Sequence, residues 1–276
     1  TPLYSSAASD VYKRQVRIAC SPSSNTAILA AASLAGATQF IQLGGVQAIA
    51  ALALGYSHNK PVDMIAGPGN SWVNEAKKQL QARVKIDGLA GPSELLMICD
   101  GDQPVKWLAM DALAQAEHDP LACSLILSDD INWLESMQQF LAESIEAQIL
   151  VNKNQIELIY AESVEELIRF SDSYAPEHLM LCHKGIASEQ LKFFGSLFIG
   201  ADSAVALGDY INGPNHTLPT MGYARQSGGL NTNCFMKVST VQNITAEGRS
   251  ELCRLAMPIA QAEGLKYHRQ SLNIRA

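Results

Sequence analysis

Leu95-Leu96-Met97-Ile98-Cys99, then residues 105–118 (VKWLAMDALAQAEH), then Cys123-Ser124-Leu125-Ile126-Leu127-Ser128 follow one another with short polar joints between them. The first is a continuous apolar run of strand length, and the last, with Leu125-Ile126-Leu127 at its centre, reads as another strand. The middle run has helical length and is stopped by Asp119-Pro120, because proline cannot continue a helix. A strand without polar alternation is one covered on both faces, as in a parallel sheet between helices. Strand, helix and strand in this order predict an α/β fold.

The same alternation extends in both directions. Toward the N-terminus, residues 16–20, 40–43 and 62–66 read as strands, and 25–34, 46–54 and 71–82 as helices. Ser23 and Ser24 are candidate caps for the first of these helices. The turn Gly67-Pro68-Gly69-Asn70 leads into the third. Toward the C-terminus, 133–147 and 164–171 read as helices, 178–182 and 196–199 as strands. The chain therefore divides into two α/β units, 16–91 and 92–230, and a mostly helical tail, 231–276. Residues 1–15 are Ser/Ala-rich and read as a leader foreign to the fold. The first strand arrives unprepared, as if the chain began inside a larger gene product.

Composition narrows the function. The formal charge is −7 and no basic block stands out, which argues against a nucleic-acid partner. The apolar stretch 46–54 is too short to span a bilayer, and residues 1–15 lack a secretory core. Six scattered cysteines without a CxxC pair read as free thiols of a cytoplasmic protein.

Several segments carry groups suited to chemistry. Gln115 and His118 are three apart, on one helical face, where both can reach one metal ion or simply decorate a solvated helix end. Glu177-His178 opens an apolar strand and forms either an acid–base pair or a strand-edge ion-pair site. Residues 208–220 read as a polar loop, with Asp209 a candidate metal ligand and His216 a candidate substrate contact, or as a series of Asx turns. Gly67-Pro68-Gly69-Asn70 joins a strand to a helix N-terminus, a weak nucleotide signal. In Gly91-Pro92-Ser93-Glu94, Ser93 either bonds a ligand or closes a turn. His58 and His183, each near a lysine in an apparently exposed turn, attract no role.

Taken together, the strings Gly44-Gly45-Val46-Gln47-Ala48-Ile49-Ala50, GPGN with Glu75-Ala76-Lys77, Ala90-Gly91-Pro92-Ser93-Glu94, Gln115-Ala116-Glu117-His118, Pro176-Glu177-His178-Leu179, Gly208-Asp209-Tyr210 and Asn215-His216-Thr217-Leu218-Pro219-Thr220 resemble the histidinol dehydrogenase family in content and order. The fold this resemblance implies is two incomplete Rossmann-like units with mostly parallel sheets, plus a helical C-terminal tail. The activity it implies is oxidation of L-histidinol to L-histidine through an aldehyde, using zinc and two NAD. By the same match, Gln115, His118, Asp209 and His268 correspond to zinc ligands. His178 corresponds to the base for the alcohol proton, and Glu177 to the base that activates water. Ser93, His216 and Glu263 correspond to substrate contacts, Gln47 and Asn70 to NAD contacts. The family's tail reaches into a partner subunit's site, which implies a homodimer. Two alternatives accompany this reading: a paralogue oxidising another small polar alcohol such as sulfopropanediol, and a truncated zinc-binding relative without turnover. Glu263 favours an amino alcohol, since a carboxylate repels a sulfonate.

Overall fold

The computed structural model describes residues 15–89 and 91–276. The proposed leader therefore lies, apart from Gln15, outside the described residues. The chain groups into a unit that ends at Phe235 and a second unit, Met236–Ala276.

The first unit opens with β1 (Arg17–Cys20), α1 (Thr26–Leu34), β2 (Gln39–Gln42), α2 (Gly45–Leu54), β3 (Met64–Ile65), α3 (Ser71–Leu80) and β4 (Lys85–Ile86). β1 pairs with β2 and β3 with β4, both parallel, as two separate two-stranded sheets. The strand expected over 62–66 pairs only at Met64 and Ile65. The cap of α1 is Asn25, whose Oδ1 accepts the Ala27 amide at 2.9 Å, not Ser23 or Ser24. Residues of α2, α3, β3 and Val84 close a small core around Ile49, Ile65, Val73 and Ala76.

β5 (Glu94–Cys99), α4 (Val105–Ala116), β6 (Cys123–Ser128), α5 (Ile131–Ala142), α6 (Ile145–Asn152), β7 (Ile156–Tyr160), α7 (Val164–Tyr174), β8 (His178–Cys182), β9 (Ser196–Ile199) and α8 (Val205–Tyr210) follow. Five of these strands form one parallel sheet in the order β7-β6-β5-β8-β9. In chain order this is 3-2-1-4-5, the doubly wound arrangement, with its reversal between β5 and β8. Successive β5 side chains point to opposite faces. Leu95, Met97 and Cys99 pack with α4 and α5 on one face, Leu96 and Ile98 with α7 on the other. Every strand pair is parallel, so the α/β class and the parallel sheets expected from the strand–helix alternation are present.

Three local differences have physical causes. The helix expected over 133–147 is two helices, because the Ser144 hydroxyl accepts the Ala147 amide at 3.3 Å and caps a new start. β7 has no counterpart among the expected strands. It is an edge strand whose Glu157 interrupts the apolar run. α4 ends at Ala116, leaving His118 just beyond the helix rather than in it.

The end of α4 is held by Gln155. Its buried amide nitrogen donates to the carbonyls of Ala116, Asp119 and Ala122 at 3.1, 3.0 and 3.0 Å. A helix end leaves carbonyls without partners, and here one side chain reaches the last carbonyl of α4 and two carbonyls of the turn that follows. Gln155→Leu is expected to cost about 1–3 kcal/mol, the penalty of buried unsatisfied acceptors. Urea unfolding checks this, and an unchanged midpoint would show that the carbonyls find other partners.

The second unit holds α9 (Ala246–Ala262) and α10 (Lys266–Asn273), with Pro258 inside α9. Among the described residues no helix is long and apolar enough to cross a membrane. All six cysteines are free thiols.

Candidate active site

The amino ends of β5 and β8 lie side by side, with Leu95 opposite His178 in the register. Four polar residues gather there. The Ser93 hydroxyl donates to Glu177 Oε2 at 2.6 Å, and the Glu94 amide donates to the same oxygen at 3.0 Å. The Gln115 amide nitrogen, from the last turn of α4, donates to Ser93 Oγ at 2.5 Å. Glu177, His178 and Gln115 are all buried. His178 Nδ1 stands 3.6 Å from Glu177 Oε2, beyond a hydrogen bond, and has no partner among the described residues.

Close packing holds this arrangement. A Cβ at Gly195 would lie 2.6 Å from the Glu177 carbonyl oxygen and 3.1 Å from Pro219 Cδ, so only glycine lets β9's approach pass this near. β8 is flanked by β5 and β9 and is not an edge, which removes the edge ion-pair alternative for Glu177-His178.

Burial sets the charges. Loss of solvent pushes the Glu177 carboxyl up to about 7, against the stabilising bonds from Ser93 and Glu94 and with a further upward push from the nearby charges of Glu94 and Asp209. Loss of solvent pulls His178 down to about 4, opposed by Asp209. The buried ring is thus held neutral, and the carboxyl is the group pushed toward neutrality.

These shifts have opposite linkage signs. Glu177, raised in the folded state, binds more protons folded than unfolded between its ordinary carboxyl value and about 7, so its contribution to stability falls as pH rises through that window. His178, depressed, binds more protons unfolded between about 4 and its ordinary value, so its contribution rises with pH there. The two largely cancel in wild-type protein. His178→Gln is expected to leave the Glu177 slope exposed: stability should decline from pH 5 to pH 7, measured as unfolding midpoints in metal-free protein. A rising or flat profile in that variant would contradict the sign assigned to Glu177.

A second group of donors borders the pair. His118 Nε2 lies 3.7 Å from Asp209 Oδ2. That is too long for a hydrogen bond and close to the separation of two ligands about 2.1 Å from one shared ion. Asp209 sits in the last turn of α8, not in the loop expected over 208–220. The Asp111 carboxylate on α4 accepts the Val205 amide at the start of α8, which ties the two helices that carry His118 and Asp209. Gln115, one turn before His118, supplies an amide donor on the same side. Among the described residues no three His, Cys, Asp or Glu side chains converge on one point. A cation held here therefore takes imidazole, carboxylate and amide ligands, a set that suits a borderline metal ion. His216 is half-buried. Its ring is held below its ordinary value by burial, while Asp209's charge pushes the other way.

The remaining candidates lie elsewhere. Asn70 Oδ1 accepts the Val73 amide at 3.1 Å and caps α3, so this candidate contact already has a structural task. Gln47 is exposed on the first turns of α2. Glu263 and His268 belong to the second unit and line one shallow groove between α9 and α10, with Ile259 and Tyr267. His183, dismissed above as exposed, has a nearly buried side chain with Nε2 3.2 Å from Asp129 Oδ1. Glu94 and Tyr174 were assigned no role. The signal for Glu94 was a carboxylate opening the otherwise apolar β5.

Comparison with known proteins places this geometry. A family model described as histidinol dehydrogenase matches residues 6–276, beginning inside the segment set apart above as a leader. The histidinol dehydrogenase of Zymomonas mobilis is 40% identical over 273 residues, covering 94% of this chain and 63% of that protein. That of Methanothermobacter thermautotrophicus is 40% identical over 257 residues, covering 90% and 60%. The crystal structure of histidinol dehydrogenase from Elizabethkingia anophelis superposes with a TM-score of 0.90 at 33% identity, covering all of this chain and 68% of that one. The chain thus spans about three fifths of the length of the curated relatives it matches. Since the matched region takes in both strand ends and the helices that carry their polar groups, this chain belongs to the histidinol dehydrogenase family.

Proposed function

We propose that the protein to which this chain belongs is a zinc-dependent oxidoreductase that converts L-histidinol to L-histidine with two NAD. The observation that carries the reading is the buried Glu177-His178 pair, with Nδ1 of the imidazole unpartnered and Glu177 Oε2 held by the Ser93 hydroxyl and the Glu94 amide. Two adjacent proton acceptors of different basicity suit two successive proton transfers.

In the first step, neutral His178 takes the hydroxyl proton while hydride leaves the same carbon for NAD, which gives the aldehyde and NADH. In the second, Glu177 takes a proton from water as the water oxygen bonds to the aldehyde carbon. The hydrate then loses hydride to a second NAD and becomes the acid. Ser93 and the Glu94 amide hold one oxygen of Glu177, which fixes the direction from which it meets water. Gln115, His118 and Asp209 fit a zinc ion, which would orient the substrate's amine and imidazole. In this reading His268, with the substrate contact Glu263, comes from the tail of a partner subunit, and His216 lines the substrate side. Gln47 and Asn70 face NAD in the first half of the chain.

The test is NADH formation by the full-length protein with L-histidinol, with and without a zinc chelator. Two NADH per histidinol, lost on chelation and restored by zinc, support the proposal. Zinc binding without NADH would overturn the substrate and direct the search to other small alcohols.

A further inference from the structure

His178 and Asp209 belong to different elements, yet one side chain adjoins both neighbourhoods. Phe198 is buried on β9. The register pairs it with Met180, two residues after His178, so its ring and the imidazole project from the same face of the sheet. The two ring centroids are 5.8 Å apart with the planes tilted by 51°, within the range of aromatic contact. After β9 the chain turns and returns as α8. The Ser203 hydroxyl donates to the Ile199 carbonyl at 2.7 Å across this turn. Val205, at the start of α8, joins the core cluster that holds Phe198 and Met180. Gly208 then lies against the ring itself. A Cβ there would stand 2.7 Å from Phe198 Cζ and 2.9 Å from Cε1.

A ring enclosed in a close-packed core cannot yield without displacing its neighbours. The helix therefore approaches only as far as a residue without a side chain allows. Asp209 is the next residue, so this contact sets how deep its carboxylate sits. Burial alone would be served by any large apolar side chain. What Phe198 does besides is touch the imidazole and the glycine before Asp209 at once. We infer that Phe198 is a positioning residue shared by the two halves of the site: Gly208 seated on its ring sets the depth of Asp209 toward His118, and the same ring fixes the orientation of the His178 imidazole.

The catalytic meaning of this role rests on the proposed function, so one readout needs neither metal nor turnover. In full-length, zinc-loaded protein, the Cε1–H signal of His178 is followed by NMR and assigned with His178→Gln. Gly208→Ala sets a methyl against Phe198 and should move that signal from another element of the fold. In the Phe198→Leu background the same methyl should leave the signal where Phe198→Leu alone puts it. Zinc affinity, measured by competition with a chromogenic chelator, should fall about tenfold or more in Gly208→Ala. Gly208→Ala/Phe198→Leu should recover most of that loss, a non-additivity expected only of residues in contact. The d–d bands of the cobalt-substituted protein should shift in Gly208→Ala and return toward wild type in the double variant. A methyl that acts equally with and without the ring overturns the inference. So does a Gly208→Ala protein indistinguishable from wild type. If Gly208→Ala does not fold, the double variant decides: folding supports the seat of Gly208 on the ring, and failure overturns it. A His178 signal that answers to Gly208→Ala in a protein whose wild type binds no zinc keeps the Phe198 role and overturns the proposed function instead.

Discussion

Glu177→Gln in the full-length protein is expected to slow oxidation of the aldehyde by about a hundredfold to ten-thousandfold, the usual contribution of a general base. Alcohol oxidation should be far less affected. Glutamine keeps the shape of the side chain and can still accept from Ser93 and the Glu94 amide, so the strand ends should stay in place. What it loses is the ability to take a proton. His178→Gln, in contrast, should suppress NADH formation from the alcohol, because in the proposed reaction the neutral imidazole accepts the first proton. Pre-steady-state traces with alcohol and aldehyde as separate substrates distinguish the two variants. Equal loss of both steps in Glu177→Gln would mean that the two residues act as one unit and that the division of labour is wrong.

Lys77→Met is expected to destabilise the protein by about 3–5 kcal/mol, the cost of breaking a buried ion pair from one side. Lys77 and Asp87 are almost fully buried, at 2% and 3% side-chain exposure, with Nζ 2.8 Å from Oδ1. Nζ also donates to the Gly67 carbonyl at 2.5 Å, and Asp87 Oδ2 accepts the Gly67 amide at 2.7 Å. Without the ammonium, Asp87 is left charged in a small core. The pair also pins both backbone groups of the residue that opens the Gly67-Pro68-Gly69-Asn70 turn. Weaker NAD binding should therefore accompany the loss of stability if that turn contacts the cofactor. Urea unfolding and NAD titration measure the two effects. Lys77→Met/Asp87→Leu should recover much of the stability without recovering NAD affinity. A cost below about 1 kcal/mol for the single variant would place this pair with exposed ion pairs.

The central sheet was legible because β5, β6 and β8 each hold an apolar run, residues 95–99, 125–127 and 179–182, the mark of strands covered on both faces. β7 was not, because an edge strand carries polar residues such as Glu157 and loses the pattern. The break at Ser144 was hidden because the apolar spacing of α5 continues into α6, and only the side-chain cap shows that the backbone restarts. Glu177, His178, Gln115 and Ser93 stood out by residue type and position but took roles only from the family strings, and their contacts follow from strand register, which no local pattern reveals. The nearness of His118 to Asp209 depends on Asp111 binding the start of α8, a contact across more than ninety positions.

The cluster sits at the amino ends of parallel strands, whereas open α/β sheets ordinarily bind ligands at the carboxyl ends. In a strand–helix alternation, the amino end of the sheet is where helices finish. Gln115 is in the last turn of α4, Tyr174 closes α7 and Asp209 is in the last turn of α8. Three helices thus turn their carbonyl-rich, partially negative termini toward one spot. That polarity favours a metal cation or a substrate ammonium and disfavours phosphate. A dinucleotide's pyrophosphate is better served by a helix N-terminus, such as the start of α3 after Asn70. In the proposed reaction, the direction in which the chain runs would thereby sort cation and anion to different parts of the molecule.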